Sequence, residues 1–170
     1  MYYENVFLSD NEKCGYKNII TNGTGQLIED TDSEINITTL DNLMKMKYSN
    51  FKADFMKIDT DGFDFKVIRG ARNYIENVKP IIFFEWSKEE LNIQRENELS
   101  IFPELEAMGY KDILLFDNFG NKLLSISSAN IEVLEYMANY TMNNDKRICY
   151  YDVLAIHKDS VFSSDSFKCI

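Results

Sequence analysis

An α/β fold, with a mostly parallel sheet between two layers of helix, is what this sequence predicts, on two observations. Short continuous apolar runs recur at residues 53–58, 81–85, 111–116 and 149–156, and strands that are apolar throughout belong to sheets buried on both faces. Between them lie segments whose apolar residues fall at helical spacing, alternating with the strands as α/β architectures require. At 170 residues the chain has the size of one ordinary domain. That is long enough to bury a core without disulfides or metal.

Each element has its own signal. NVFLS near the start reads as a strand, and YKNIITNGTG with QLIED as a hairpin or loop. INIT (35–38) is short and β-branched. In TLDNLMKMKYS, Thr39 or Asp41 caps a helix carrying Leu43, Met44 and Met46. The apolar run 53–58 ends at Asp59, and Phe63, Val67, Ile68, Ala71 and Ile75 then recur as one helix. Pro80 precedes IIFFE, in keeping with a strand's first position. Leu99, Phe102, Leu105 and Met108 make one stripe of a helix over 98–108, which Gly109 ends in the C′ position. KDILLF, the turn DNFGN and KLLSIS follow, then a helix over 131–142 and the last strand, CYYDVLAI. The segment 86–97 (WSKEELNIQREN) reads as a polar loop, and the tail 160–170 as a frayed end.

Composition narrows function. A net charge of −10 disfavours phosphate backbones and anionic membranes, so neither nucleic acid nor membrane is an expected partner. No apolar run reaches membrane-spanning length. Cys14, Cys149 and Cys169 are odd in number and widely spaced, which suits free thiols in a reducing, cytoplasmic setting. The sequons at Asn22, Asn36 and Asn139 read as accidents of composition. His157 is the sole histidine and no GxSxG elbow occurs, so His-rich metal sites and a serine-hydrolase elbow are excluded. NGTGQ (22–26) lacks the strand and helix that frame a phosphate loop, and reads as a turn.

The chemistry concentrates in KIDTDGFD (57–64), at the end of an apolar strand. Ligands of open α/β sheets collect outside the carboxyl ends of the strands. Asp59, Asp61 and Asp64 lie at such an end, and Glu85 ends the neighbouring strand. Carboxylates crowded at a partly buried rim gain proton affinity through desolvation and mutual repulsion, which makes one of them a candidate general base. Asp61 and Asp64 have a structural alternative as caps of the following helix, with Gly62 allowing the turn. An EF-hand is excluded, because Lys57 and Ile68 would occupy its first and twelfth ligand positions. The DTD of Asp59 and Asp61 also fits the DxD of metal-dependent glycosyltransferases, and that reading stays open as an alternative.

TLDNL (39–43), DFMKIDTDGFDFKVIRGA (54–71) and KPIIFFEWS (79–87) resemble the signature blocks of the FkbM-type methyltransferases. Lys57, Ile58, Asp59, Gly62 and Gly70 match that family's central block directly, and Asp61 and Asp64 stand where it usually has Glu. GYKDILLFDNFGN and YYDVLAIHK are similar to its last strands. The resemblance implies a class I, Rossmann-like fold whose final strand runs antiparallel. It also implies S-adenosylmethionine as cofactor and methyl transfer to a hydroxyl of a sugar or other small metabolite. In that reading Asp59 faces the methyl-transfer site and contributes to cofactor binding, Asp61 and Glu85 serve as base or substrate anchor, and Ser9 and Asp10 approach the adenine. The family's glycine-rich cofactor turn and ribose-binding acid find no counterpart here. The chain is therefore expected to be the C-terminal part of such a domain, its N-terminal strands missing. An exposed sheet edge would then favour homo-oligomers, and a non-catalytic interaction module is the remaining alternative.

Overall fold

The computed structural model describes residues 3–12, 16–21, 24–29, 37–143, 145 and 147–163. Its backbone divides into two compact units, one formed by Met1–Phe51 with Phe65–Tyr74, the other by Lys52–Asp64 with Ile75–Ile170.

In the first unit, β1 (Phe7–Leu8) and β4 (Ile37–Thr38) pair in parallel. The antiparallel hairpin of β2 (Tyr16–Thr21) and β3 (Thr24–Glu29) stands as its own two-stranded sheet. Helix α1 (Leu40–Lys47) is capped by Thr39, whose Oγ1 accepts the Asn42 N–H at 3.1 Å. Asp41 does a different job. Its carboxylate accepts the backbone N–H groups of Asn73 and Tyr74 at 2.9 and 2.7 Å, and the Asn73 side chain at 2.8 Å. It thereby caps the start of α3 (Arg72–Val78) from a distant point in the sequence.

The single helix expected over Phe63–Ile75 is two, α2 (Asp64–Gly70) and α3, with a break at Ala71. The Ala71 N–H bonds one residue short of the α-helical partner, to Ile68 O at 3.1 Å. The break follows Gly70, a weak helix former. Gly70 sits where a Cβ would lie 2.0 Å from the Ser9 carbonyl oxygen, so only glycine permits this approach.

The second unit holds a five-stranded sheet in the order β5 (Phe55–Ile58), β6 (Ile81–Trp86), β9 (Tyr151–His157), β7 (Tyr110–Asp117), β8 (Lys122–Ser127). Only β5 and β6 pair in parallel; the other three pairings are antiparallel. The expected mostly parallel sheet is thus corrected. β5, β6 and β7 do run in one direction, but the antiparallel last strand β9 sits between β6 and β7, and β8 folds back on β7 as a hairpin. The hairpin turn is the DNFGN segment. The Asp117 carboxylate accepts the N–H groups of Phe119 and Asn121, and Gly120 takes a φ of +83°.

Residues expected to form a polar loop include α4 (Lys88–Ile93), capped by Ser87 Oγ on the Glu90 N–H. Helix α5 (Ile101–Ala107) starts later than its apolar stripe, and Gly109 follows at φ +93° as the C′ reading requires. Helix α6 spans Ile131–Asn143. One sheet face packs around Trp86, which meets Phe102 edge-on at 4.8 Å and Tyr151 at 5.6 Å. The Trp86 indole N–H donates to Glu98 O at 2.8 Å, and the buried Tyr110 hydroxyl to Pro80 O at 2.7 Å. On the opposite face Phe55, Phe83 and Phe116 form an aromatic row beside buried Leu114, Leu154 and Ile156.

Among the described residues no helix is long and apolar enough to cross a membrane. Cys149 is exposed and in no disulfide among the described residues, whereas Cys14 and Cys169 lie outside them. The expected frayed tail lies outside them from residue 164 onward.

Candidate functional site

Strand direction and register gather the acidic residues. Because β5 and β6 are parallel and Ile58 pairs with Phe84, Asp59 and Glu85 emerge side by side at the same end of the sheet. β9 enters at that end, and Asp152 is the cross-strand partner of Glu85. Opposed residues of a pair share a face, so Glu85 and Asp152 project together.

The turn after β5 is built by its sequence. Phe63 N–H donates to Thr60 O at 3.1 Å, and Asp61 and Gly62 between them have φ of +48° and +90°. Two successive positive φ values are what a type I′ turn needs, and Asp-Gly is among its favoured pairs. Asp61 therefore has a backbone reason to be where it is. A Cβ on Gly62 would lie 2.9 Å from the Glu90 carbonyl oxygen, so the glycine also lets the turn press against α4.

Asp64 opens α2 and is buried. Its carboxylate accepts the Thr60 hydroxyl at 2.9 Å, the Thr60 N–H at 3.3 Å and the Glu85 N–H at 3.2 Å. It ties the turn to the neighbouring strand, a capping and bracing role, and burial raises its proton affinity.

The remaining carboxyls differ sharply in setting. Asp59 is exposed and paired with Lys57 Nζ at 2.6 Å, a solvent-screened surface ion pair that contributes little to stability. Asp61 holds its proton more tightly than usual, through partial burial and the charge of Asp59. Glu85 is pushed up to about 9, first by burial, then by the charge and hydrogen bond of Glu90, then by Asp64 and Asp59. Burial raises Glu90 and Asp152 as well. Tyr150, just before β9, has its phenol pushed up by burial and by Glu85, Asp152 and Asp59.

The structure thus brings Asp59, Asp61 and Glu85 to one rim. Ser9 and Asp10 belong to the other unit. Ser9 is buried, its N–H donating to Thr38 O at 3.0 Å and its hydroxyl to Asp10 Oδ1 at 3.2 Å. Glu90, Asp152 and Tyr150 were not among the residues the sequence singled out. Asp152 had a faint signal, as an acid inside the apolar run 149–156. Glu90 had none, since its place depends on how α4 packs on the turn. Among the described residues no three His, Cys, Asp or Glu side chains are arranged to hold a metal ion. An open cavity of about 220 Å³ is lined by Glu89, Asn92, Thr141, Met142 and Cys149, none of them a predicted site residue.

Comparison with known families meets this geometry from another side. The family model described as the methyltransferase FkbM domain matches residues 10–111, which run through the Asp59–Asp64 turn, Glu85 and Glu90. Comparisons with curated proteins and with solved structures find no match. The match covers more than half of the chain, and the protein belongs to the FkbM methyltransferase family.

Proposed function

We propose that this protein is an S-adenosylmethionine-dependent methyltransferase that methylates a hydroxyl of a sugar or other small metabolite, on a class I, Rossmann-like architecture. The observation that carries the reading is the rim at which Asp59, Asp61 and Glu85 meet at the ends of two parallel strands. Family membership supplies the reaction class.

The donor set suits one end of the cofactor. A sulfonium is a cation, and a rim of several carboxylates with Lys57 as its cationic neighbour favours positive charge. Bound there, the cofactor would supply an electrophilic methyl group. Asp59, exposed at the strand end, is the residue that faces it. Glu85 is pushed up to about 9 and keeps its proton at neutral pH, so it is assigned to anchor the acceptor hydroxyl as a donor, and Asp61 to receive that hydroxyl's proton.

The test is ligand discrimination. S-adenosylmethionine should bind more tightly than S-adenosylhomocysteine, whose sulfur is neutral, and Asp59→Asn should narrow the difference. The same substitution should remove turnover against a panel of hydroxyl acceptors while the melting curve stays cooperative. Retained turnover in Asp59→Asn would remove Asp59 from the site.

A further inference from the structure

We infer that the open cavity of about 220 Å³ between α4, α6 and the start of β9 is the acceptor's binding site, and that it takes a small molecule carrying a cationic amine, such as an amino sugar or amino alcohol. Calling that ligand the acceptor rests on the methyltransferase reading above. Glu89 and Asn92 line the cavity from α4, Thr141 and Met142 from the end of α6, and Cys149 from the residue before Tyr150. All five belong to one unit. They lie where α4 follows β6 and β9 enters the sheet, the end at which ligands of α/β sheets collect. Glu90, beside Glu89, packs on the acidic turn: its Cβ lies 3.0 Å from where a Cβ on Gly62 would stand. The first turn of α4 thus serves both the rim and the cavity.

The walls are braced. Lys88 Nζ pairs with Glu98 Oε1 at 2.6 Å and donates to Asn139 Oδ1 at 3.0 Å, which ties α4 to α6. The Tyr151 hydroxyl donates to Met137 O at 3.1 Å, which ties α6 to β9. Charge then selects the ligand. The two helices carry Glu89, Glu90, Glu132 and Glu135 against a single cation, Lys88, and Lys88 is engaged by Glu98. Arg147, two residues before Cys149, is not among the lining residues. Among the described residues no cation pairs with the Glu89 carboxylate. The Thr141 hydroxyl donates to Ala138 O at 2.8 Å, so Glu89 and Asn92 supply the polar contacts. They stand at i and i+3 on one helix face, where the carboxylate meets an ammonium and the amide a hydroxyl of the same molecule. Met142 and Cys149 cover its C–H groups. A cleft lined by acids also draws cations toward it. The volume suits one ring and not a chain of them, since pockets for drug-sized ligands run from roughly 300 Å³ upward.

The experiment reads protection of the Cys149 thiol from alkylation by iodoacetamide, resolved by peptide mass mapping, with Cys14 and Cys169 as references in the same tube. D-glucosamine, D-galactosamine and ethanolamine are compared with D-glucose, D-galactose and ethylene glycol, which match them in size and lack the amine. At neutral pH at least one amine should half-protect Cys149 at about a three- to fivefold lower concentration than its neutral partner, and added salt should narrow the gap. Glu89→Gln, a change at an exposed position, should abolish the preference. The Met142 methyl resonance in NMR gives the same reading without thiol chemistry. Equal protection by amine and neutral partner, a preference that survives Glu89→Gln, or no protection by any of the amines would overturn the inference. No cofactor is added, so failure here leaves the methyltransferase reading standing, and failure of cofactor binding leaves this result standing.

Discussion

Gly70→Ala should destabilise the protein although it adds a better helix former. A Cβ at this position would lie 2.0 Å from the Ser9 carbonyl oxygen and 2.9 Å from its carbon, where ordinary contacts begin at 3.4 Å. Both opposing atoms are backbone, so no side chain can rotate away, and the Ser9 N–H is itself pinned to Thr38 O at 3.0 Å. The helix end and the strand must separate by more than about 1 Å. Overpacking of this kind costs about 3 kcal/mol, against a gain of at most about 1 kcal/mol in helix propensity. The net loss of about 2 kcal/mol should lower the melting midpoint by roughly 4–8 °C in a chain of this size, followed by far-ultraviolet circular dichroism. Gly120→Ala is the control. It meets no atom within 4 Å but sits at φ +83°, so it carries only the left-handed backbone strain of about 1 kcal/mol. A Gly70→Ala protein as stable as the native chain would refute the close approach and the reasoning built on it.

Three further outcomes follow from single residues. Asp41→Ala removes three hydrogen bonds at the start of α3 and should cost about 1–2 kcal/mol in urea denaturation. Trp86→Ala empties a buried, hydrogen-bonded position and should cost about 3–5 kcal/mol; Trp86→Phe should cost less, because the ring contact to Phe102 survives. His157 is buried against Tyr110, its Nδ1 accepting the Asp159 N–H at 3.0 Å, and burial together with the Lys79 charge lowers its proton affinity. The unfolded chain therefore binds the proton first, so His157 contributes stability that is present above pH 6.5 and lost as pH falls below it. His157→Gln should show a shallower loss between pH 6.5 and 5.

The strands β5, β6, β7 and β9 were legible because each is a run of apolar residues that only a covered sheet can bury. Their pairings were not. Periodicity shows that a segment is a strand but not which neighbour it takes, and β9 reaches its place between β6 and β7 only through tertiary packing. The break at Ala71 escaped because the apolar spacing continues through it, while the cause lies in the Ser9 backbone far away in sequence. Asp41 looked like a cap for α1 and caps α3 instead, since Thr39 already serves the nearer helix. In the site, Asp59 and Glu85 were readable as residues closing two apolar strands. Glu90 and Tyr150 were not, because they depend on how α4 packs against a type I′ turn and on where β9 enters the sheet.

Methyltransferase function is tested most directly by a thermal melt of the chain with millimolar S-adenosylmethionine or S-adenosylhomocysteine. For a micromolar site, a thousandfold excess of ligand adds about 4 kcal/mol, a rise of roughly 10 °C. A rise of that order, larger for the cationic ligand, is the predicted result. A cooperative melt that neither ligand moves would contradict it.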